Sequence, residues 1–387
     1  MPLDVVIVGG GPVGLYLAAV LLRRGLSVRI LERRLTRDRH SRAIGIHPPA
    51  LAALDQLGIA PSLVASGVPI RTGQAVSRGH TVGTMPFSGV SGGFPFVLSL
   101  PQHRTEQLLE EQVAAADSGA LLRGFEVEGV ASNGGHVTIC AGPAPGATGS
   151  EQTFKASMMV AADGARSTVR DLMGFPVRRK TYPDHYLMGD FAASGLPDDT
   201  AVLFLEGDGI VESFPLPGGL RRWVVRLGRP AGGAGPDDLA RLVAERTGHR
   251  PDPASNTMIS AFSVRSTLAR RTVAGNVVLI GDAAHEISPI GGQGMNLGWL
   301  DARDLAPLVV RSLSGRHDPA AYRSFEDRRL RAALRARRQS EINMLLGRPL
   351  PAPALALRNS AIRGAAAWPA LNRWVARRFT MQQEAAG

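Results

Sequence analysis

The chain has 387 residues, 44% of them apolar and only 5% aromatic, a globular composition long enough for two or three packed units over a sizeable core. A single cysteine, Cys140, excludes an internal disulfide framework and cysteine-rich metal sites, and fits a reducing, cytoplasmic setting. The net charge of +11 comes from arginines spread along the chain with few aromatics between them and no nucleic-acid motif, which argues against nucleic-acid binding.

The first apolar stretch, 5–22, carries Gly9, Gly10, Gly11, Pro12 and Gly14, which would break a spanning helix. It also lacks the basic flank and cleavage site of a signal peptide. It reads instead as a strand over 4–8, a glycine turn, a helix over 12–24 stopped by Gly25, and a second strand over 27–31 ending at Glu32. After a basic stretch, 33–42, the pattern predicts a helix over 49–57, short strands and loops over 71–93, and a helix over 105–116. Strands follow at 127–140 and 153–160, around a Gly/Pro-rich turn region. Residues 188–227 read as an antiparallel meander with turns at 207–209 and 217–219, and 238–247 as a helix closed by Gly248. A buried strand, 277–280, precedes a helical C-terminus, whose arginine-rich run 322–346 reads as a solvated face.

Gly9-x-Gly11-x-x-Gly14 between a strand and a helix, with Glu32 ending the next strand, is a dinucleotide fingerprint in its full context. Gly9 allows the tight turn, Gly11 admits a pyrophosphate to the backbone, and Gly14 permits close helix–strand packing. The phosphates then sit at the N-terminus of the helix begun by Pro12 and Val13. Glu32 suits ribose hydroxyls and repels a 2′-phosphate, so this pocket takes FAD or NAD.

Two further motifs decide between those ligands. One is Gly281-Asp282-Ala283-Ala284-His285, followed by Pro289 and by Gly291-Gly292-Gln293-Gly294-Met295-Asn296. The other is Ala162-Asp163-Gly164-Ala165-Arg166-Ser167. In type, order and spacing the three resemble the motifs of the class A, single-component flavoprotein monooxygenases, the p-hydroxybenzoate hydroxylase family, over about residues 1–310. The resemblance implies an α/β fold: a Rossmann-like FAD-binding domain of the glutathione reductase-like type, a second mixed or antiparallel sheet domain for substrate, and a helical C-terminus. The expected division is 1–72, 96–178 and 270–310 for FAD, 73–95 and 179–269 for substrate, and 311–387 for the C-terminal helices. Larger relatives carry a thioredoxin-like domain at this end, expected to be missing here.

The implied chemistry is hydroxylation of an aromatic or polyketide-like molecule, and the Arg/Ala/Gly-rich composition points to an intermediate of secondary metabolism. FAD is the resident cofactor, NADPH or NADH a transient co-substrate, and O2 is delivered through a flavin C(4a)-hydroperoxide. Glu32, Arg33, Arg42, Gln102, Asp163, Asp282, Gly294, Met295 and Asn296 join the first glycine motif as expected cofactor contacts. Asp282, after a buried strand, is placed for ribityl or ribose hydroxyls. The helix starting near Met295 offers N–H groups to a reduced flavin's negative charge. Pro289, Gly291 and Gly292 are expected to flank the reacting face. His285 is expected to be buried and hydrogen-bonded behind the loop, with no metal role. Alternation in the meander offers Phe204, Glu206, Phe214 and Trp223 as pocket residues, while the base that would activate a phenol is not identified.

Epoxidation, ring-expanding oxygen insertion and isoprenoid reduction remain open on the same fold. Halogenation is set aside because no Trp-x-Trp-x-Ile-Pro element occurs. A flavin-bound RNA-binding role rests only on the basic charge, and membrane-surface binding by the C-terminal segment ranks below packing on the protein itself. The chain is expected to be a monomer or homodimer.

Overall fold

The computed structural model describes residues 2–37, 43–88, 93–133 and 135–382. Its first unit is an eight-stranded sheet built on the N-terminal βαβ. Strand Leu3–Val8 pairs in parallel with Val28–Glu32 on one side and with Gln152–Ala161 on the other. Leu121–Arg123 extends one edge, Val277–Leu279 and Val273–Ala274 the other, and the hairpin of Phe125–Asn133 and His136–Pro143 is attached to Gln152–Ala161. The strand expected over 127–140 is thus two strands folded back on each other.

Register explains why three distant motifs converge. Val8 lies opposite Leu31 and Ala161, and Ala161 opposite Leu279. Four parallel strands therefore end in one row, and Gly9, Glu32, Ala162-Asp163 and Ile280-Gly281-Asp282 all emerge at the carboxyl edge, where open α/β sheets bind ligands. Helices Pro12–Leu22 and Gly294–Leu313 cover one face, burying Leu15, Tyr16, Trp299 and Leu300 completely.

The second unit is a seven-stranded sheet in the order Met258–Ala269, Val177–Ala192, Leu220–Leu227, Val211–Leu216, Thr200–Phe204, Thr72–Ser77 and His80–Pro86. All its pairings are antiparallel except that of Thr200–Phe204 with Thr72–Ser77. Its outer face packs under helix Pro236–Thr247, with Leu187, Phe204, Trp223, Val225, Leu239 and Val243 in one cluster. Its inner face looks back at the first sheet.

Helix Pro319–Leu346 is not simply a solvated face. Phe325, Ala332, Ala333, Ala336, Ser340 and Met344 are buried along one side, and the arginines mostly occupy the rest. Helices Ala352–Ala367 and Pro369–Phe379 then fold back over strand His80–Pro86. A Cβ on Gly83 would lie 3.1 Å from Ile362 and 3.3 Å from Ala366, and the Asn372 amide donates to the Thr84 carbonyl at 2.9 Å. Among the described residues no helix is long and apolar enough to cross a membrane.

Candidate flavin and substrate site

One cavity of about 1550 Å³ runs from the carboxyl edge of the first sheet to the inner face of the second, roofed by the C-terminal helices. That exceeds the ~300–1,000 Å³ usual for one small ligand, and suits a cofactor with a substrate beside it. Every described residue expected to contact the cofactor or flank its reacting face lines it except Gly14 and Asn296. Arg42 lies outside the described residues.

The turn at Gly9 is shaped by close approach. Its φ is +106°, and a Cβ there would stand 2.4 Å from the Ala162 carbonyl oxygen, which belongs to the third motif. A Cβ on buried Gly14 would lie 2.0 Å from the Gly9 oxygen, whereas one on Gly11 would meet nothing within 4 Å. The backbone is therefore packed tight behind the turn and open in front of it. Helix Pro12–Leu22 starts there with no side-chain cap and no acid in its first turn, leaving its N–H groups for an anion.

Glu32 is buried, and its Oε2 accepts from Gly10 N at 2.6 Å while Oε1 accepts from Arg34 N and Nε, each at 2.9 Å. Burial works to raise its carboxyl pKa, but the Arg34 contacts outweigh it and hold the group below its ordinary value. Three of about four acceptor positions are filled, leaving one for a ribose hydroxyl. Arg33, beside it, is exposed on the cavity rim. Arg34, the partner that keeps Glu32 ionised, was missed in the sequence because nothing marks it apart from its arginine neighbours.

Asp163 takes a hydrogen bond from Val169 N at 3.1 Å on Oδ2, while its buried Oδ1 has no hydrogen-bond partner among the described residues. Burial raises this carboxyl. Asp282 is exposed to the cavity, and the protein packed around it pushes its carboxyl up to about 6. A carboxylate with an orphaned oxygen and another facing an enclosed space both suit a ligand bearing hydroxyls. Gln102 also reaches the cavity, its amide donating to Glu106 at 2.8 Å.

The Pro289–Gly292 loop is anchored from behind. Asn296, fully buried, donates to the carbonyls of Gly45 at 2.9 Å and Gly292 at 2.7 Å, and accepts from His47 N at 2.8 Å. Its side chain thus clamps the loop, and the N-terminus of helix Gly294–Leu313, beginning with cavity-lining Gly294 and Met295, points into the cavity. The imidazole of His47, 3.6 Å from where a Gly292 Cβ would be, is pushed down to about 4 by burial and is neutral. A Cβ on Gly298 would lie 2.5 Å from Val13, and Trp299 Nε1 donates to the Pro12 carbonyl at 3.0 Å, so the first and second motifs are locked together. The four-residue spacing of Gly294 and Gly298 was a readable sign of such a close helix face.

His285 lies behind the loop as expected. Its Nε2 meets Asp301 Oδ2 at 2.5 Å, Arg329 Nε donates to Asp301 Oδ1 at 2.6 Å, and Gly281 N donates to Oδ2 at 2.9 Å. Burial works against the Asp301 carboxylate, but His285 and Arg329 together hold it down at about 2.

The substrate-side expectations need correction. Phe214 lines the cavity, but Phe204 and Trp223 point to the opposite face, 6.0 Å apart and stacked, while Glu206 accepts from Arg78 N at 2.9 Å and does not line the cavity. The inner face instead presents two register rows. One is Asp190, Arg222, Phe214 and Ala201, with Arg222 forked onto Asp190 at 2.6 and 2.8 Å. The other is Met188, Val224, Glu212, Leu203 and Ala75. Phe379 closes the cavity from the C-terminal helix, stacked on Phe87 at 5.9 Å and edge-on to His47 at 5.9 Å.

A turn open to anions, a row of carboxylates at the strand ends and a glycine loop under a helix N-terminus are features that suit a flavin nucleotide. The chain belongs to the FAD-binding domain family, whose model matches residues 2–340. It is 33% identical over 315 residues to the 6-methylpretetramide 4-monooxygenase of Streptomyces rimosus, covering 78% of this chain and 55% of that protein. It is 32% identical over 387 residues to the uncharacterized aromatic compound monooxygenase YhjG of Bacillus subtilis, covering 97% of this chain and 74% of that protein. In fold it is similar to the p-nitrophenol 4-monooxygenase of Pseudomonas putida, with a TM-score of 0.87 at 21% identity over 98% of both chains.

Proposed function

We propose that this protein is an FAD-dependent monooxygenase that uses NADPH or NADH and O2 to hydroxylate an aromatic or polyketide-like small molecule. The observation that carries the reading is the single cavity joining the three flavin motifs to the inner face of the second sheet. The two named relatives, a 6-methylpretetramide 4-monooxygenase and an uncharacterized aromatic compound monooxygenase, support a small-molecule monooxygenase reading. Residues 1–72, 96–178 and 270–310 form the cofactor half, 73–95 and 179–269 the substrate half, and 311–387 the closing wall.

In this reading Gly9, Gly11, Pro12, Val13 and Gly14 hold the pyrophosphate, Glu32 and Arg33 the adenosine end, and Asp163 and Asp282 the ribityl chain. Gln102 and Arg42 complete the contacts. Bound FAD, reduced by the nicotinamide nucleotide, supplies the electrons that activate oxygen. The chain's own part is to fix the ring plane with Pro289, Gly291 and Gly292 and to stabilise negative charge on the ring with the Gly294–Met295 N-terminus. Asn296 keeps that loop in place, while the apolar rows and Phe379 hold the substrate and exclude water.

The test is substrate-dependent NADPH or NADH oxidation by FAD-loaded protein over a panel of mono- and polycyclic phenols, followed by mass spectrometry under isotopically heavy O2. A product heavier by one atom of the labelled oxygen is the expected result. Nucleotide oxidation giving a saturated product without labelled oxygen would replace this reading with a reductase.

A further inference from the structure

We propose that Glu212 is the catalytic base for this site, taking the proton from a phenolic or enolic hydroxyl of the substrate. The inference rests on the aromatic-hydroxylase reading above and names the group that reading lacks.

Glu212 lies in strand Val211–Leu216 with its side chain on the cavity face. Its register neighbours are Val224 and Leu203, and both belong with Met188 to the apolar cluster that holds Ile290, the residue between Pro289 and Gly291. The sheet thereby sets a carboxylate on the cavity wall, in register with residues of the cluster that includes Ile290 of the flavin-face loop. Only 8% of Glu212 is exposed, and it makes no hydrogen bond or ion pair among the described residues. A buried carboxylate without a partner is costly, and such groups need an explanation in function or in a ligand.

Several of the charged groups around it are committed elsewhere, and among the described residues none is hydrogen-bonded to it. Within the sheet, Arg222 is forked onto Asp190, and Arg226 and Arg348 hold Asp184. The buried Tyr186 hydroxyl has no partner. From the loops and helices, neutral His47, Asp282, Arg338 and Arg378 line the same cavity. Burial alone raises the Glu212 carboxyl to about 7, close to the value at which a base is both ionised and effective at neutral pH.

The step moves one proton and no electrons. The substrate O–H bond breaks, an Oε–H bond forms on Glu212, and the electron pair left on oxygen enriches the ring carbons ortho and para to it, which then accept oxygen. Phenols and enols are therefore the substrates this site favours over their ethers.

The experiment uses FAD-loaded wild type and the isosteric E212Q variant, with substituted phenols, 4-nitrophenol among them, and the O-methyl ether of each. Three readouts are taken: oxygen-labelled product, its pH profile, and the absorbance of bound nitrophenol, which separates phenol from phenolate. Wild type is expected to bind nitrophenol as phenolate and to hydroxylate phenols faster as pH rises through about 7. E212Q is expected to keep its FAD, to bind nitrophenol as the neutral phenol, and to lose about 10²–10⁴-fold in kcat together with that rise. E212D, which retains an acid, should recover part of the rate. An unchanged pH profile and phenolate binding in E212Q, equal turnover of phenols and ethers, or no binding of any phenol would each overturn the proposal. Failure of the monooxygenase reading is distinct: no labelled product from any phenol or ether while the nucleotide still reduces the flavin.

Discussion

The two sheets face one cavity with different materials. The first presents backbone: a glycine turn, helix N-termini and strand ends, with Glu32 held by Gly10 and Arg34 and with Asp163 and Asp282 open toward the cavity. The second presents side chains on a pleated face, where Glu212 has no hydrogen-bond partner among the described residues. A cofactor that is the same in every turnover suits a rigid backbone cradle, whereas a substrate must be met by side chains that can differ between relatives. The contrast is sharpest in two buried acids. Asp301, tied to His285, Arg329 and Gly281, is held down at about 2, and Glu212, alone, is pushed up to about 7.

If the cofactor side is built from backbone, adding a single Cβ should be worse there than any loss of a side chain. Gly14→Val places carbon where only 2.0 Å separates it from the Gly9 oxygen, a contact that neither backbone can relieve cheaply. The variant is expected to purify without flavin or not to fold, measured as the FAD-to-protein absorbance ratio. Retention of FAD would break the comparison at its root. Next in size, Asp301→Ala strands Arg329 and His285 without their shared carboxylate. Removing one partner of such a buried network costs roughly 3–5 kcal/mol, read as a lowered melting temperature of the holoenzyme.

The unpartnered acid gives a prediction of opposite kind. The Glu212 pKa is raised from 4.5 unfolded to about 7 folded, so the unfolded chain releases this proton first. Its stabilising effect is complete below about 4.5 and is lost as pH rises through about 7. A shift of that size corresponds to roughly 3 kcal/mol. The difference in melting temperature between E212Q and wild type should therefore grow in favour of the variant from pH 5 to pH 8. A difference that stays flat over this range would show that the carboxylate has a partner after all.

The same contrast decides what could be read from the sequence. The cofactor half was legible because each of its parts is a short run of consecutive residues, and the strand–turn–helix context fixes their placement. The substrate half was not. Alternation pairs Glu212 with Phe214, and Phe204 with Val202, but it cannot say which pair faces inward. That depends on turn lengths and on helix Pro236–Thr247 covering the outer face, so Phe204 and Trp223 were assigned to the wrong side. Glu206 fell outside the pleat, on the turn after its strand. The C-terminal helices were masked by composition: arginines dominate 322–346, while its contact side is made of alanines, Ser340 and Met344, which give a weak apolar pattern.

Those helices supply the smallest effect and the finest test. Phe379 is half-buried at the cavity edge, stacked on Phe87 and edge-on to His47. Phe379→Ala removes an aromatic pair worth about 1 kcal/mol beyond its buried area and opens the substrate end of the cavity. If the wall belongs to the substrate half alone, KM for the substrate should rise about fivefold, a change of about 1 kcal/mol in binding, while FAD content stays at the wild-type level and kcat changes little. Flavin loss in this variant would mean instead that the C-terminal wall supports the backbone cradle through His47 and the Gly291–Gly292 loop, and that the two halves of the cavity are one mechanical unit.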